Sequence, residues 1–155
     1  MNYWIFKADP EQYDLLNSDL LISETADDGI TATWYATQYR LRMEPGDIVF
    51  FWIGEQNIAD GSLEETRTGI YGWGMIVSKP YEKKNLDTFG VDLKYKRRLT
   101  SIISIAALKQ LPVFSGFLLF YAKDFTNFLL APQEAEAIIR AMSPDDRPDV
   151  GLVSV

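Results

Sequence analysis

The 155-residue chain carries 22 acidic and 15 basic side chains, a net charge of −7 that taken whole disfavours non-specific attachment to nucleic acid. Its 47% hydrophobic and 14% aromatic residues suit one domain with its own core and argue against disorder. Without cysteine or histidine it forms no disulfide, no thiolate nucleophile and no imidazole base, and a zinc site would rest on carboxylates alone.

Along the chain, Met1-Asn2-Tyr3-Trp4-Ile5-Phe6-Lys7 has a four-residue apolar run and no basic start, which reads as a short buried strand and not as a signal peptide. Asp9-Pro10 ends it. Glu11 to Leu21 is expected to be a short helix or irregular cover, and Glu24 to Gly29 an acidic turn. Thr37 to Met43 has the length of about two helical turns. Glu44-Pro45-Gly46-Asp47 places proline second and glycine third, as a type II turn requires. Ile48 to Ile53 is an unbroken apolar run and predicts a strand buried on both faces.

Glu55 to Thr68 is polar and reads as an exposed loop. Gly69 to Val77 predicts a strand in which Gly72 and Gly74 share one face, leaving room for tight curvature or for close approach of another group. Val91, Leu93 and Tyr95 alternate with Asp92, Lys94 and Lys96, giving a half-exposed strand. Ser104 is placed to cap a helix through Leu111. Phe117 to Tyr121 and Phe125 to Leu130 are strand candidates. Pro132 opens a helix with Ala135, Ile138, Ile139 and Met142 on one face. Ser143 to Asp149 is Pro/Asp-rich and is expected to fray, which divides the chain into a domain over 1–142 and a tail over 143–155. Short strands with a few small helices point to an α+β fold, a closed or nearly closed mixed β-barrel with helical decoration.

Few residues carry catalytic chemistry. There is no Walker A motif, and Gly69-Ile70-Tyr71-Gly72-Trp73-Gly74 does not fit the dinucleotide fingerprint. Asp27-Asp28 and Glu64-Glu65 read as solvated loop carboxylates. No metal, cofactor or catalytic set is expected, and no apolar stretch reaches the roughly 20 residues of a membrane span. The absence of cysteine is compatible with a reducing cytoplasm, the expected location. Charge is uneven: residues 79–109 carry 8 basic and 3 acidic side chains, centred on Lys94, Lys96, Arg97 and Arg98. That island is either a solvated strand edge or a patch facing phosphate. Trp4 and Trp73 read as core. Trp34-Tyr35 stands where a strand ends, beside Ala36 and Thr37, and a flat wall there would suit an extruded base.

Four motifs carry a family resemblance. Tyr3-Trp4-Ile5-Phe6-Lys7-Ala8-Asp9-Pro10 resembles the opening of EVE-domain proteins. Leu41-Arg42-Met43-Glu44-Pro45-Gly46-Asp47-Ile48-Val49-Phe50-Phe51, Gly69 to Tyr81, and Val91 to Leu99 with the Ser104 helix are similar to the segments that follow it in that family. The resemblance covers most of residues 3–142. It implies a PUA-like fold related to YTH and ASCH domains, and a binding domain that reads a modified base in DNA or RNA without catalysis, in some members as the specificity module of an effector protein. Trp34-Tyr35-Ala36-Thr37 resembles the cage segment of YTH domains. The resemblance implies Trp34 as stacking wall. Beside it Trp52 is expected as second wall or floor, Tyr35, Lys7, Asp9, Thr37 and Gln38 as lining residues, and Lys94, Lys96, Arg97 and Arg98 on phosphate. Two departures stand out: Thr33-Trp34-Tyr35-Ala36-Thr37-Gln38-Tyr39-Arg40 lacks the family's Arg-Asn pair, and Phe51-Trp52-Ile53-Gly54 replaces a Phe-Tyr-His-Ser strand end. A small-molecule or protein-binding module, and an accessory to an RNA- or nucleotide-modifying enzyme, are the alternatives.

Overall fold

Alternation decides which way each strand looks. In β1 (Tyr3–Ala8) Trp4 and Phe6 turn to one side, Tyr3 and Ile5 to the other. The computed structural model of the chain describes residues 1–8, 31–37, 39–53, 68–83, 88–117 and 126–148. Within them β2 is Thr31–Tyr35, β3 Ile48–Ile53, β4 Gly69–Ile76, β5 Tyr81–Lys83, β6 Thr88–Ser104 and β7 Asn127–Leu130. They form one mixed sheet ordered β2-β6-β4-β3-β1-β7, with β5 paired to the start of β6. β1 and β3 run parallel, and every other pairing is antiparallel.

The sheet curls until its ends meet. Trp34 of β2 lies against Phe6 of β1, ring centroids 6.4 Å apart, although three strands separate them in the sheet order. The side chain of Asn127 bridges the seam between β2 and β7. Asn127 Nδ2 donates to the Tyr35 carbonyl at 3.1 Å, and Asn127 Oδ1 accepts from the Thr37 N–H at 2.8 Å. Thr37 Oγ1 also donates to Asn127 Oδ1 at 3.0 Å and meets Thr126 Oγ1 at 3.0 Å. The strands tilt as barrel closure demands. Asn127 pairs through Phe6, Phe51 and Gly72 to Arg98, yet Tyr35 pairs with Gly90, eight positions earlier along β6.

Two cores result. Trp4, Phe6, Trp34, Phe51, Leu93 and Tyr95 are among the residues that fill the barrel. Outside it, Ile5, Phe50, Trp52 and Trp73 pack under α1 (Ile105–Lys109) and α2 (Pro132–Ala141), the latter burying Ala135, Ile138 and Ile139. All six residues of β3 are buried because the strand feeds both cores alternately. Gly74 shows why that side chain is missing: a Cβ there would sit 2.6 Å from the Lys94 carbonyl oxygen and 3.1 Å from the Phe51 ring.

The predicted turn is present, with Gly46 at φ 97° and the Asp47 N–H donating to the Glu44 carbonyl at 3.1 Å. Asp47, 1% exposed, then ties this turn to the start of β1. Its carboxylate accepts from the Asn2 N–H at 2.9 Å, from Trp4 Nε1 at 3.0 Å and from the Glu44 N–H at 3.0 Å. Ser104 caps α1 by accepting from the Ala107 N–H at 3.2 Å, and Pro132 opens α2. α1 ends at Lys109, short of the expected Leu111.

Three expectations change. The two helical turns over 37–43 reduce to one 3-10 turn at Arg40–Arg42, because Tyr39 at φ 57° lies in the left-handed region. The strand around residues 91–96 is 17 residues long, carried past its charged stretch by irregular register against β4. The frayed tail does not begin at Ser143. Pro144–Asp146 forms a 3-10 turn, and Asp146 is 1% exposed. Its carboxylate accepts from the Thr100 N–H and Oγ1 at 2.9 and 2.7 Å and pairs with Arg97 Nε at 2.8 Å, while its carbonyl accepts from Trp73 Nε1 at 2.7 Å. The expected elements over 11–21, 24–29 and 55–67, and most of the strand over 117–121, fall outside the described residues.

Candidate functional site at one end of the barrel

Register gathers one set of strand ends. Lys7-Ala8 of β1 pairs with Trp52-Ile53 of β3, Ile53 pairs with Gly69 of β4, and Asn127 pairs with Phe6. The Asn127 bridge brings Tyr35, Ala36 and Thr37 beside the Phe6–Asn127 pair, although on β6 Tyr35 stands opposite Gly90, fourteen positions from the Ser104 that pairs with Gly69. Directly beneath, inside the barrel, lies an aromatic layer. Trp34 stands 5.0 Å from Phe51 between ring centroids, 6.4 Å from Phe6 and 6.4 Å from Tyr95, and its Nε1 donates to the Tyr95 hydroxyl at 2.7 Å.

The sequence-predicted residues separate at this end. Trp34 is 2% exposed and packed in the barrel interior, so in this conformation its ring does not form an open wall. Trp52 is not a second wall beside it: alternation along β3 turns Trp52 into the outer core with Ile48 and Phe50, while Phe51 faces Trp34. Lys7 stands opposite Trp52 in the parallel register and is half-buried. Tyr35 is half-buried on the opposite side of β2 from Trp34. Thr37 is exposed, and its hydroxyl is engaged at the seam with Asn127 and Thr126. Asp9 and Gln38 lie outside the described residues.

The basic island also divides. Lys94 is not on an edge, since it pairs with Thr31 on one side and Met75 on the other. Arg97 is committed to Asp146, and Tyr95 between the lysines points into the barrel. Lys94, Lys96 and Arg98 are half-exposed. Burial raises the Asp146 carboxyl, but the hydrogen bonds from Thr100 and the Arg97 guanidinium outweigh it and hold the group below the usual carboxylate value.

Two residues near these strand ends were missed by sequence reading. Asn127 has one available signal, a lone polar residue opening the apolar run Asn127-Phe128-Leu129-Leu130. Thr68, just before Gly69, is 7% exposed, and its hydroxyl has no hydrogen-bond partner. Buried polar groups are normally paired, and this hydroxyl is an exception. Among the described residues no group of three His, Cys, Asp or Glu side chains is placed to hold a metal ion, and no helix is long and apolar enough to cross a membrane.

Residues 2–141 match the family model described as EVE domain. The chain belongs to the EVE domain family. Its fold is the α+β, PUA-like small mixed barrel with short peripheral helices. Solved EVE-like structures superpose over nearly the whole chain. A protein from Agrobacterium tumefaciens is 15% identical with a TM-score of 0.67, covering 96% of this chain and 100% of its own. A hypothetical protein from Leishmania major is 20% identical with a TM-score of 0.64, covering 90% and 93%. Human THYN1, solved in complex with DNA containing 5-methylcytosine, is 18% identical with a TM-score of 0.65, covering 93% and 100%. No curated protein matches the chain in sequence.

Proposed function

We propose that this EVE domain is a non-enzymatic reader of a modified nucleobase in DNA or RNA, and that the base docks at the barrel end gathered by Lys7, Tyr35, Thr37, Thr68 and Asn127. The observation that carries the reading is the family match over residues 2–141, together with a neighbour of the same fold solved on DNA containing 5-methylcytosine. The buried, unpartnered Thr68 hydroxyl supports a polar ligand at this end. The chain has no His or Cys to serve as base or nucleophile.

Trp34 fits this function as the ring beneath the entry. A base reaches it when Tyr35–Thr37 lifts from Asn127 and bares the indole, and stacking on such a face contributes about 1–3 kcal/mol. The polar contacts of the seam then become available to the base edge. A second reading, a free modified nucleoside or similar flat molecule without the polymer, is favoured by the net charge of −7 and by the commitment of Arg97 to Asp146. An EVE module of this kind serves an effector protein by supplying the recognition step.

The test is a titration of short DNA and RNA strands, each with and without one modified base, beside the corresponding free nucleosides. Tighter binding of a modified strand than of its unmodified match is the expected result. Thr68→Val should weaken that preference while leaving stability near wild type, because it removes a hydroxyl that has no partner. Equal binding of every modified and unmodified pair overturns the reading.

A further inference from the structure

Arg40, Lys79 and Phe89 meet in a surface cleft of about 230 Å³, walled by Leu41 and Pro80 over the buried Met43. The Arg40 guanidinium lies over the Phe89 ring at 4.1 Å from its centroid and has no carboxylate partner among the described residues. Stacking fixes the plane of the cation and leaves its edge and its other face for a ligand. Lys79 meets Glu44 at 3.9 Å with the two side chains 75% and 56% exposed, a loose surface pair. Arg42 is exposed two residues on. Two cations, Arg40 and Lys79, against the one carboxylate of Glu44 give the cleft a local positive balance on a chain whose net charge is −7. Tyr39 and Leu41, 47% and 88% exposed, add a flat and an apolar surface at the rim.

A cationic groove with π-faces is the surface that tracks single-stranded nucleic acid. The volume is below the range of drug-sized pockets and fits one base or one sugar–phosphate unit. The cleft also joins the proposed base site, since the Phe89 carbonyl accepts from the Ala36 N–H at 2.9 Å.

We propose that this cleft takes one nucleotide of a single strand, its base against the outer face of Arg40 and its phosphate on Lys79 and the guanidinium edge. The inference rests on the reader function and adds the position of the strand. It also moves backbone contact away from the 94–98 island.

The experiment uses fluorescence anisotropy of the full chain with labelled single strands, with and without 5-methylcytosine, over a range of salt. Arg40→Ala should weaken both strands by the same factor, about tenfold. Lys79→Ala should lower the salt slope by about 0.7, the value of one phosphate contact on a single strand. Arg40→Lys keeps the charge and loses the plane, so it should retain the wild-type slope but lose affinity. Circular dichroism establishes that each variant is folded. If Arg40→Ala and Lys79→Ala bind both strands with wild-type affinity and slope, the cleft assignment is overturned, and a persisting preference for the modified strand leaves the reader function standing. If Arg40→Ala weakens both strands and no preference exists in the wild type, the cleft stands and the reader function falls. Absence of strand binding by the wild type overturns both.

Discussion

Replacing Asn127 by alanine should open the barrel seam. Asn127 is 1% exposed, and its amide serves the Tyr35 carbonyl on one side and the Thr37 N–H on the other. Both are backbone groups at the end of β2, where the ladder to β6 stops at the Tyr35–Gly90 pair. Truncation removes the Asn127 partner of one part-buried acceptor and one part-buried donor, at up to about 1–3 kcal/mol each. Water entering the opened seam recovers part of this, so a net loss of about 2–4 kcal/mol is expected, a large share of a small domain's stability. Urea unfolding measures it. Amide hydrogen exchange adds a local readout, because the Thr37 N–H loses its acceptor and should exchange much faster in the variant, whatever happens in β3. Asn127→Asp is a useful companion: it keeps the oxygen that accepts from Thr37 but sets a carboxylate against the Tyr35 carbonyl, and should cost at least as much as alanine. An Asn127→Ala protein within about 0.5 kcal/mol of wild type, with Thr37 protection unchanged, would refute the role of Asn127 in holding the seam.

Trp34→Ala should cost about 3–5 kcal/mol, as much as Trp4→Ala, because both indoles are buried and both donate a buried hydrogen bond; denaturant unfolding that finds Trp34→Ala much milder would place the ring in an open wall. Asp146 has a lowered pKa in the folded chain, so its stabilisation is complete above the unfolded value near 3.9 and is lost as pH falls through the folded value. The stability gap between wild type and Asp146→Asn should therefore be constant from about pH 5 to 7 and shrink below about pH 4, as thermal unfolding across that range would record; a gap that widens in acid contradicts the linkage. Gly74→Ala forces a methyl to within 2.6 Å of the Lys94 carbonyl oxygen, and calorimetry should find it destabilised by about 1–3 kcal/mol or more.

Much of the scaffold was legible because it is written locally. The apolar run of β3 sits between a proline–glycine turn and Gly54, and Ser104 and Pro132 mark helix starts by their own chemistry. β6 was legible only in part, because Lys96-Arg97-Arg98 interrupts the alternation where its register against β4 shifts. The aromatic site was harder for a different reason. Trp34 and Trp52 look equivalent along the chain, and only the pairing of their strands sends one inward and the other under the helices. Asn127 is one polar residue ahead of an apolar run until β2 is brought round to meet it. The basic island read as one patch because residue type records charge, whereas the partner of Arg97 stands 49 positions away.

The Asp146 turn sets where this domain can be cut. The segment shared with the family ends at residue 141, and a chain trimmed there would look complete by that boundary. It would lack the oxygens that receive Trp73 Nε1, Arg97 Nε, and the backbone and hydroxyl of Thr100. Three of those donors belong to β6 and one to β4, so trimming disarms the middle of the sheet, not its rim. For anyone joining this barrel to another protein, the residues from Ser143 to Arg147, and the buried Pro148 after them, are part of the folding unit.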